Sequence, residues 1–202
     1  MKEIEIKRLL IQEILSSDDV EVVAHEFSFD FGRCRADLVC IKEGALYGYE
    51  IKSAFDKTVR LESQLSSYFL LFDYVTVVCD EKHLRKVREC APIRTGLYIC
   101  DESGISKRRA PKRVMRKNEL VLLDAMPSDY LRRYFSAPSA RSKFELCQHI
   151  KANNSKDDIK KGFMDYLVHR MGPQTRMLKG DVSGVVTLDD FYSLGLAAED
   201  IA

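Results

Sequence analysis

No stretch of this chain approaches the roughly 20 apolar residues that cross a bilayer, so a membrane-spanning role is not expected. The first residues, Met1-Lys2-Glu3-Ile4-Glu5, are acidic and amphipathic and do not read as a signal peptide. There is no C-x-x-C pair. The six cysteines (Cys34, Cys40, Cys79, Cys90, Cys100, Cys147) are scattered, several of them inside apolar, strand-like runs where a free thiol behaves as a small core residue. A reduced, cytoplasmic protein without structural zinc is expected. No G-x-x-x-x-G-K-[ST] loop occurs, which ranks a nucleotide-phosphate cradle low. An excess of one charge is missing as well. With 32 basic and 31 acidic residues the net charge is +1, so any nucleic-acid contact must come from local clustering.

What is present is a globular composition, 46% hydrophobic and 31% charged over 202 residues, enough for one cored domain plus a small appendage. Ile4, Leu9, Leu10, Ile11 and Leu15 recur near helical spacing, predicting a helix over 2–15. Strands follow at 20–31, 35–42 and 46–52, the first with Val23, His25, Phe27 and Phe29 on one face. The last two are joined by a tight Glu43-Gly44 hairpin. A helix is expected over 53–73, with Leu61, Leu65, Phe69 and Phe72 as its apolar stripe. A strand at 74–79, a charged helix at 81–90 and a strand near 97–100 complete an α-β-β-β-α-β-α-β order. That order implies an α/β fold, a mixed sheet with helices on both faces, over residues 1–101.

Residues 102–117 read as a basic linker carrying Lys107, Arg108, Arg109, Lys112, Arg113, Arg116 and Lys117, a solvated run or a contact for backbone phosphate. Residues 118–202 are expected to form a helical C-terminal portion, with helices at 118–126, 128–135, 141–152 and 155–171, a Gly-rich loop at 172–184 and a short helix at 188–194. Arg132-Arg133 and Lys160-Lys161 are expected on solvated helix faces.

The chemistry concentrates in Tyr49-Glu50-Ile51-Lys52. Residues two apart on a strand share a face, so Glu50 and Lys52 point the same way. The hairpin makes strand 35–42 the neighbour of 46–52 and brings Asp37 within reach of Glu50. Alone, E-x-K on a strand is a common ion-pair pattern. Two carboxylates and an ammonium in apolar strands are costly unless paired or metal-binding. Hydrolysis of a phosphodiester uses this set. Asp37 and Glu50 would hold Mg²⁺, with Mn²⁺ as substitute, and the backbone carbonyl of Ile51 is a further candidate ligand. Lys52 would assist the water or the transition state. On the following helix Arg60, Gln64 and Tyr68 fall at i, i+4 and i+8, a polar ridge that could orient water or grip phosphate. Glu26, sharing parity with Val22 and Asp30, is a possible additional acid. Glu3, Glu5 and Glu13 on the first helix are weaker candidates. His25, His83, His149 and His169 share no metal-ligand spacing.

Asp37 followed by Glu50-x-Lys52 within such a core resembles the PD-(D/E)XK nuclease superfamily, with Ala36-Asp37 where many members have Pro-Asp. Gln64 matches a feature of some members. More narrowly, Arg35-Ala36-Asp37-Leu38, Gly48-Tyr49-Glu50-Ile51-Lys52-Ser53 and Arg60-Leu61-x-x-Gln64-x-x-x-Tyr68-x-x-x-Phe72-Asp73-x-Val75 are similar to a branch of small bacterial and phage proteins, itself similar to DNA-repair proteins of the MmcB type. The resemblance implies a restriction-endonuclease-like core. It also implies Mg²⁺-dependent endonuclease action on nucleic acid, most simply DNA, in repair, restriction or mobile-element biology. Asp37, Glu50, Lys52 and Gln64 would be catalytic, and Arg35, Arg60 and Tyr68 would contact substrate. Cutting both strands with one site per chain is compatible with a homodimer. A non-catalytic nucleic-acid-binding or protein-interaction module on the same fold is the alternative reading.

Overall fold

The computed structural model describes residues 1–115, 117–137 and 142–180. Helix α1 (Glu3–Leu15) buries Ile6, Leu10, Ile11 and Ile14 along one side, and the Glu5 carboxylate turns back to the Lys2 N–H, satisfying one free donor of the first turn. A six-stranded sheet follows in the order β1 (Val20–Phe29), β2 (Cys34–Lys42), β3 (Ala45–Lys52), β4 (Tyr74–Cys79), β5 (Gly96–Asp101), β6 (Gly104–Arg109). β1 to β3 are antiparallel, β3 to β5 parallel, and β6 returns antiparallel to β5. The Glu43-Gly44 loop has φ of 52° and 65°, the two left-handed residues that a tight hairpin turn demands.

α1 covers one face of the sheet over Val20, Val23, Leu38, Cys40, Tyr49 and Ile51. The other face holds a larger core under α2 (Leu61–Leu71), α3 (Leu84–Cys90) and the C-terminal helices α4 (Glu119–Asp124), α5 (Ser128–Tyr134), α6 (Lys143–Asn153) and α7 (Lys156–Gly180). The sheet is therefore sandwiched between helices, an α/β fold as expected. All six cysteines are free thiols. Among the described residues no helix is long and apolar enough to cross a membrane.

Several expectations require correction. Val23 faces α1, whereas Phe27 and Phe29 face the larger core, because Glu26 takes a left-handed φ of 57° and reverses the alternation. For the same reason Glu26 does not share a face with Val22. Residues 53–60 are turns rather than helix: the Asp56 carboxylate accepts from the Ser53 N–H and hydroxyl, and Phe55 and Val59 stand exposed. The supposed linker contains β6, and the segment after it is stitched to the sheet by Lys112 N–H to Arg94 O and Val114 N–H to Asp73 O. Its charge is what an unpaired sheet edge carries, Lys107 and Arg108 pointing to solvent. Finally, α7 continues to Gly180 instead of ending in a loop near 172. There it seals the opposite edge: Thr175 Oγ1 accepts the Val23 N–H, and Lys179 Nζ donates to the Asp18 and Val20 carbonyls. Arg116 and the helix expected at 188–194 lie outside the described residues.

The helical portion is bolted on by a buried ionic knot. Asp73 accepts from the Leu46 N–H at 3.0 Å and from Lys160 Nζ at 3.1 Å, and Lys117 Nζ stands 3.5 Å away. Lys160 thus serves the core rather than a solvated face. Burial, opposed by Asp73, brings the Lys117 ammonium down to about 8.

Candidate active site

The pairing of β2 with β3 runs from Lys42 opposite Ala45 to Leu38 opposite Tyr49 and stops there. Glu50, Ile51 and Lys52 continue alongside β4 alone. Into the resulting cleft Asp37 turns its side chain, and its Oδ2 accepts the Ile51 N–H at 2.6 Å. A side-chain carboxylate stands where a strand carbonyl would normally complete the ladder. On the other side of β2 the register with β1 is kept, His25 opposite Leu38 and Phe27 opposite Ala36, with Asp37 and the left-handed Glu26 between these pairs.

Glu50 and Lys52 share the face beneath α2, as their spacing predicts. Glu50 is 1% exposed, and its two oxygens are committed: Oε1 to Lys52 Nζ at 2.5 Å and Oε2 to the Tyr68 hydroxyl at 2.7 Å. Lys52 Nζ also donates to Gln64 Oε1 at 3.2 Å. α2 therefore delivers two groups one turn apart, Gln64 at the rim and Tyr68 below it. The Tyr68 oxygen accepts the Asp37 N–H at 3.3 Å, so one hydroxyl links both acidic residues. Tyr68 has no exposed surface, which removes it from substrate contact and makes it a support for Glu50. Burial, then the Glu50 charge, hold its phenol well above the ordinary value.

On the α1 side a second group converges. Oxygens of Glu3, Glu26 and Asp37 lie within 4.8 Å of one another. Lys7, 4% exposed, reaches Glu3 at 2.6 Å and bonds Glu26 as well. Burial works against its charge, but the Glu26 and Glu3 bonds outweigh that and keep its pKa raised. Arg35 Nε lies 2.7 Å from Glu26 at the open mouth.

Asp37 sits between the two groups. Burial, then repulsion from Glu50, push its carboxyl up to about 8 against the pull of the Ile51 N–H and Lys7. Hard carboxylate oxygens crowded in a half-closed cleft, one of them held from ionising, suit a hard divalent cation. Glu50 and Asp37 are the residues that could hold one, since the Glu3 and Glu26 carboxylates are already engaged by Lys7.

The remaining candidates are less central. Arg60 lies exposed just before α2, and Ile51 contributes its N–H to Asp37 while its side chain is buried. Glu5 caps α1 and Glu13 pairs with Lys107 at 3.2 Å. His83 Nε2 is 3.0 Å from the Ser53 carbonyl, His25 is buried on β1, and His149 and His169 are exposed on the C-terminal helices. Lys7 had a legible signal that sequence reasoning passed over: a lysine beside Ile6 on the apolar side of α1, one turn after Glu3.

Comparison with known proteins gives three findings. A solved protein of unknown function from Silicibacter pomeroyi, SPO1766, is 16% identical with a TM-score of 0.42 over 73% of this chain and 84% of that one. "Protein cII" of Enterobacteria phage P4 is 34% identical over 111 residues, which are 54% of this chain but only 41% of the relative's length. A family model described as Bacteriophage P4 protein cII matches residues 1–194, nearly the whole of the chain and both the sheet and the helical portion, and so this protein belongs to the phage P4 cII family.

Proposed function

We propose that this protein is a divalent-metal-dependent nuclease that hydrolyses phosphodiester bonds in DNA. The observation that carries the reading is the cleft between β2 and β3, where Lys52 bonds both the buried Glu50 and Gln64, and the half-buried Asp37 carboxylate caps the Ile51 N–H between them. A buried ion pair contributes little to stability compared with apolar packing. Its presence under the apolar stripe of α2 calls for a chemical role.

Asp37 and Glu50 would hold a cation of the Mg²⁺ class. When bound, such an ion acidifies water at the site and offsets charge on the phosphate. Lys52 uses two of its three N–H bonds on Glu50 and Gln64, leaving one for a phosphate oxygen. Gln64 holds that ammonium in place from α2. Tyr68 fixes the Glu50 carboxylate from beneath, so it cannot rotate away when Lys52 turns toward substrate. Arg35 and Arg60, both exposed, would meet neighbouring phosphates. Water adds across the P–O bond, leaving a phosphomonoester and a hydroxyl.

The test is cleavage of supercoiled and linear DNA with Mg²⁺ or Mn²⁺, wild type beside Glu50→Ala and Lys52→Ala. Metal-dependent nicking should fall by about 10²-fold or more in both variants. Nicking that survives in both, or a wild type silent with every metal and DNA form, refutes the reading and leaves a binding module.

A further inference from the structure

We infer that Lys7 is a tethered cation that fills the Glu3–Glu26 side of the acidic cluster, so that the cleft admits one divalent ion and not two. This deepens the nuclease reading, on which its meaning for catalysis rests, but the claim itself concerns Lys7 and is testable without catalysis.

Four carboxylates line the cleft: Glu3, Glu26, Asp37 and Glu50. Three cations answer them, Lys7, Lys52 and Arg35. With every group ionised one net negative charge remains. One divalent ion reverses that to a single positive charge, which a phosphate neutralises. A second would leave three positive charges in a half-closed, low-dielectric cleft, where like charges repel strongly.

The geometry agrees with this count. Lys7 is almost fully buried, and its ammonium is held by both Glu3 and Glu26. It projects from a helix held on the sheet by Ile6, Leu10 and Ile11 on either side of it, so its ammonium is delivered by packing rather than by chance rotation. Glu3 lies one turn before it on the same helix, the arrangement that favours a Glu–Lys pair. The ammonium occupies the space between Glu3 and Glu26 where a second ion would need to sit. Asp37 is the one member of the acidic cluster with which Lys7 makes no ion pair, and it is the one that shares the Tyr68 hydroxyl with Glu50. The side of the cleft left for an ion is therefore that of Asp37 and Glu50.

The experiment is calorimetric titration of the full chain with Mn²⁺ for wild type, Lys7→Met, Lys7→Gln and Lys7→Arg. Lys7→Met and Lys7→Gln should each gain one Mn²⁺ site per chain over wild type, while Lys7→Arg, which keeps the cation, should gain none. Should Lys7→Met fold only when Mn²⁺ is supplied, that result also supports the inference, since the ion then replaces the lost charge. Unchanged stoichiometry and affinity in both neutral variants overturns it, as does a wild type that already binds two ions. A wild type that binds no Mn²⁺, beside a neutral variant that binds one, would sink the nuclease reading and leave the role of Lys7 standing.

Discussion

Replacing Asp37 by asparagine should make the metal-free protein more stable at neutral and alkaline pH. The Asp37 carboxyl is pushed up to about 8 by burial and by Glu50, against about 3.9 in an unfolded chain. Its folded pKa is raised, so the stability it supports is fully present below the unfolded value. That stability drains away as pH rises toward the folded value, because the unfolded chain releases the proton that the folded chain retains. One proton costs about 1.4 kcal/mol per pH unit. From pH 5 to 8 the full effect is about 4 kcal/mol. The open side of the cleft and the shared titration with Glu50 reduce it to roughly 2–4 kcal/mol. The amide of the Asp37→Asn variant would keep an oxygen for the Ile51 N–H and carry no charge to repel Glu50. Urea unfolding in EDTA, followed by circular dichroism since the chain lacks tryptophan, should show the wild-type midpoint falling across this window by about 1 M more than the variant's. Adding Mn²⁺ at pH 8 should raise the wild type, by about 2.7 kcal/mol at a hundredfold excess over Kd, and leave Asp37→Asn nearly unmoved. Equal pH slopes for the two proteins would show that Asp37 ionises normally in the fold, and the case for a cation-seeking site would fail.

Two further substitutions probe the neighbouring supports. Tyr68→Phe leaves a buried Glu50 oxygen and the Asp37 N–H without their partner. It should cost about 1.5–3 kcal/mol in chemical unfolding and weaken Mn²⁺ binding; a variant as stable as wild type would mean that water replaces the hydroxyl. Gly48→Ala places a methyl 2.5 Å from the Phe72 ring, which is itself pinned by Phe29 and Tyr68. A loss of about 1–3 kcal/mol is expected in the same assay, and no loss would mean that Phe72 is free to move.

The elements of the first hundred residues were legible because their patterns are strong: Val75-Thr76-Val77-Val78 reads only as a strand, and Glu43-Gly44 only as a turn. The face shared by Glu50 and Lys52 followed from strand alternation alone. What sequence could not show were the places where alternation breaks. Nothing in His25-Glu26-Phe27 announces a left-handed residue at Glu26, since glutamate is a poor choice there and is held by Lys7 and Arg35. Without that reversal Glu26 points away from the cluster it joins. Tyr68 read as part of a polar, substrate-facing ridge because helical spacing gives direction around the axis but not depth. β6 was hidden because an edge strand has no need of apolar residues on its open side.

The motif Arg60-Leu61-x-x-Gln64-x-x-x-Tyr68-x-x-x-Phe72-Asp73-x-Val75 divides physically into two tasks. Gln64 and Tyr68 serve Lys52 and Glu50, whereas Phe72 packs on Gly48 and Asp73 gathers the Leu46 N–H, Lys117 and Lys160. The second half explains why the helical portion is integral: its α7 and the segment before α4 bond to one buried aspartate at the foot of β4. A match to the second half alone would argue only for the fold. The first half is different in kind. A fold needs no lysine and glutamate beneath α2, and an apolar pair there would hold the layers at least as well. The argument for chemistry in this member of the cII family therefore rests on the part of the motif that stability does not require.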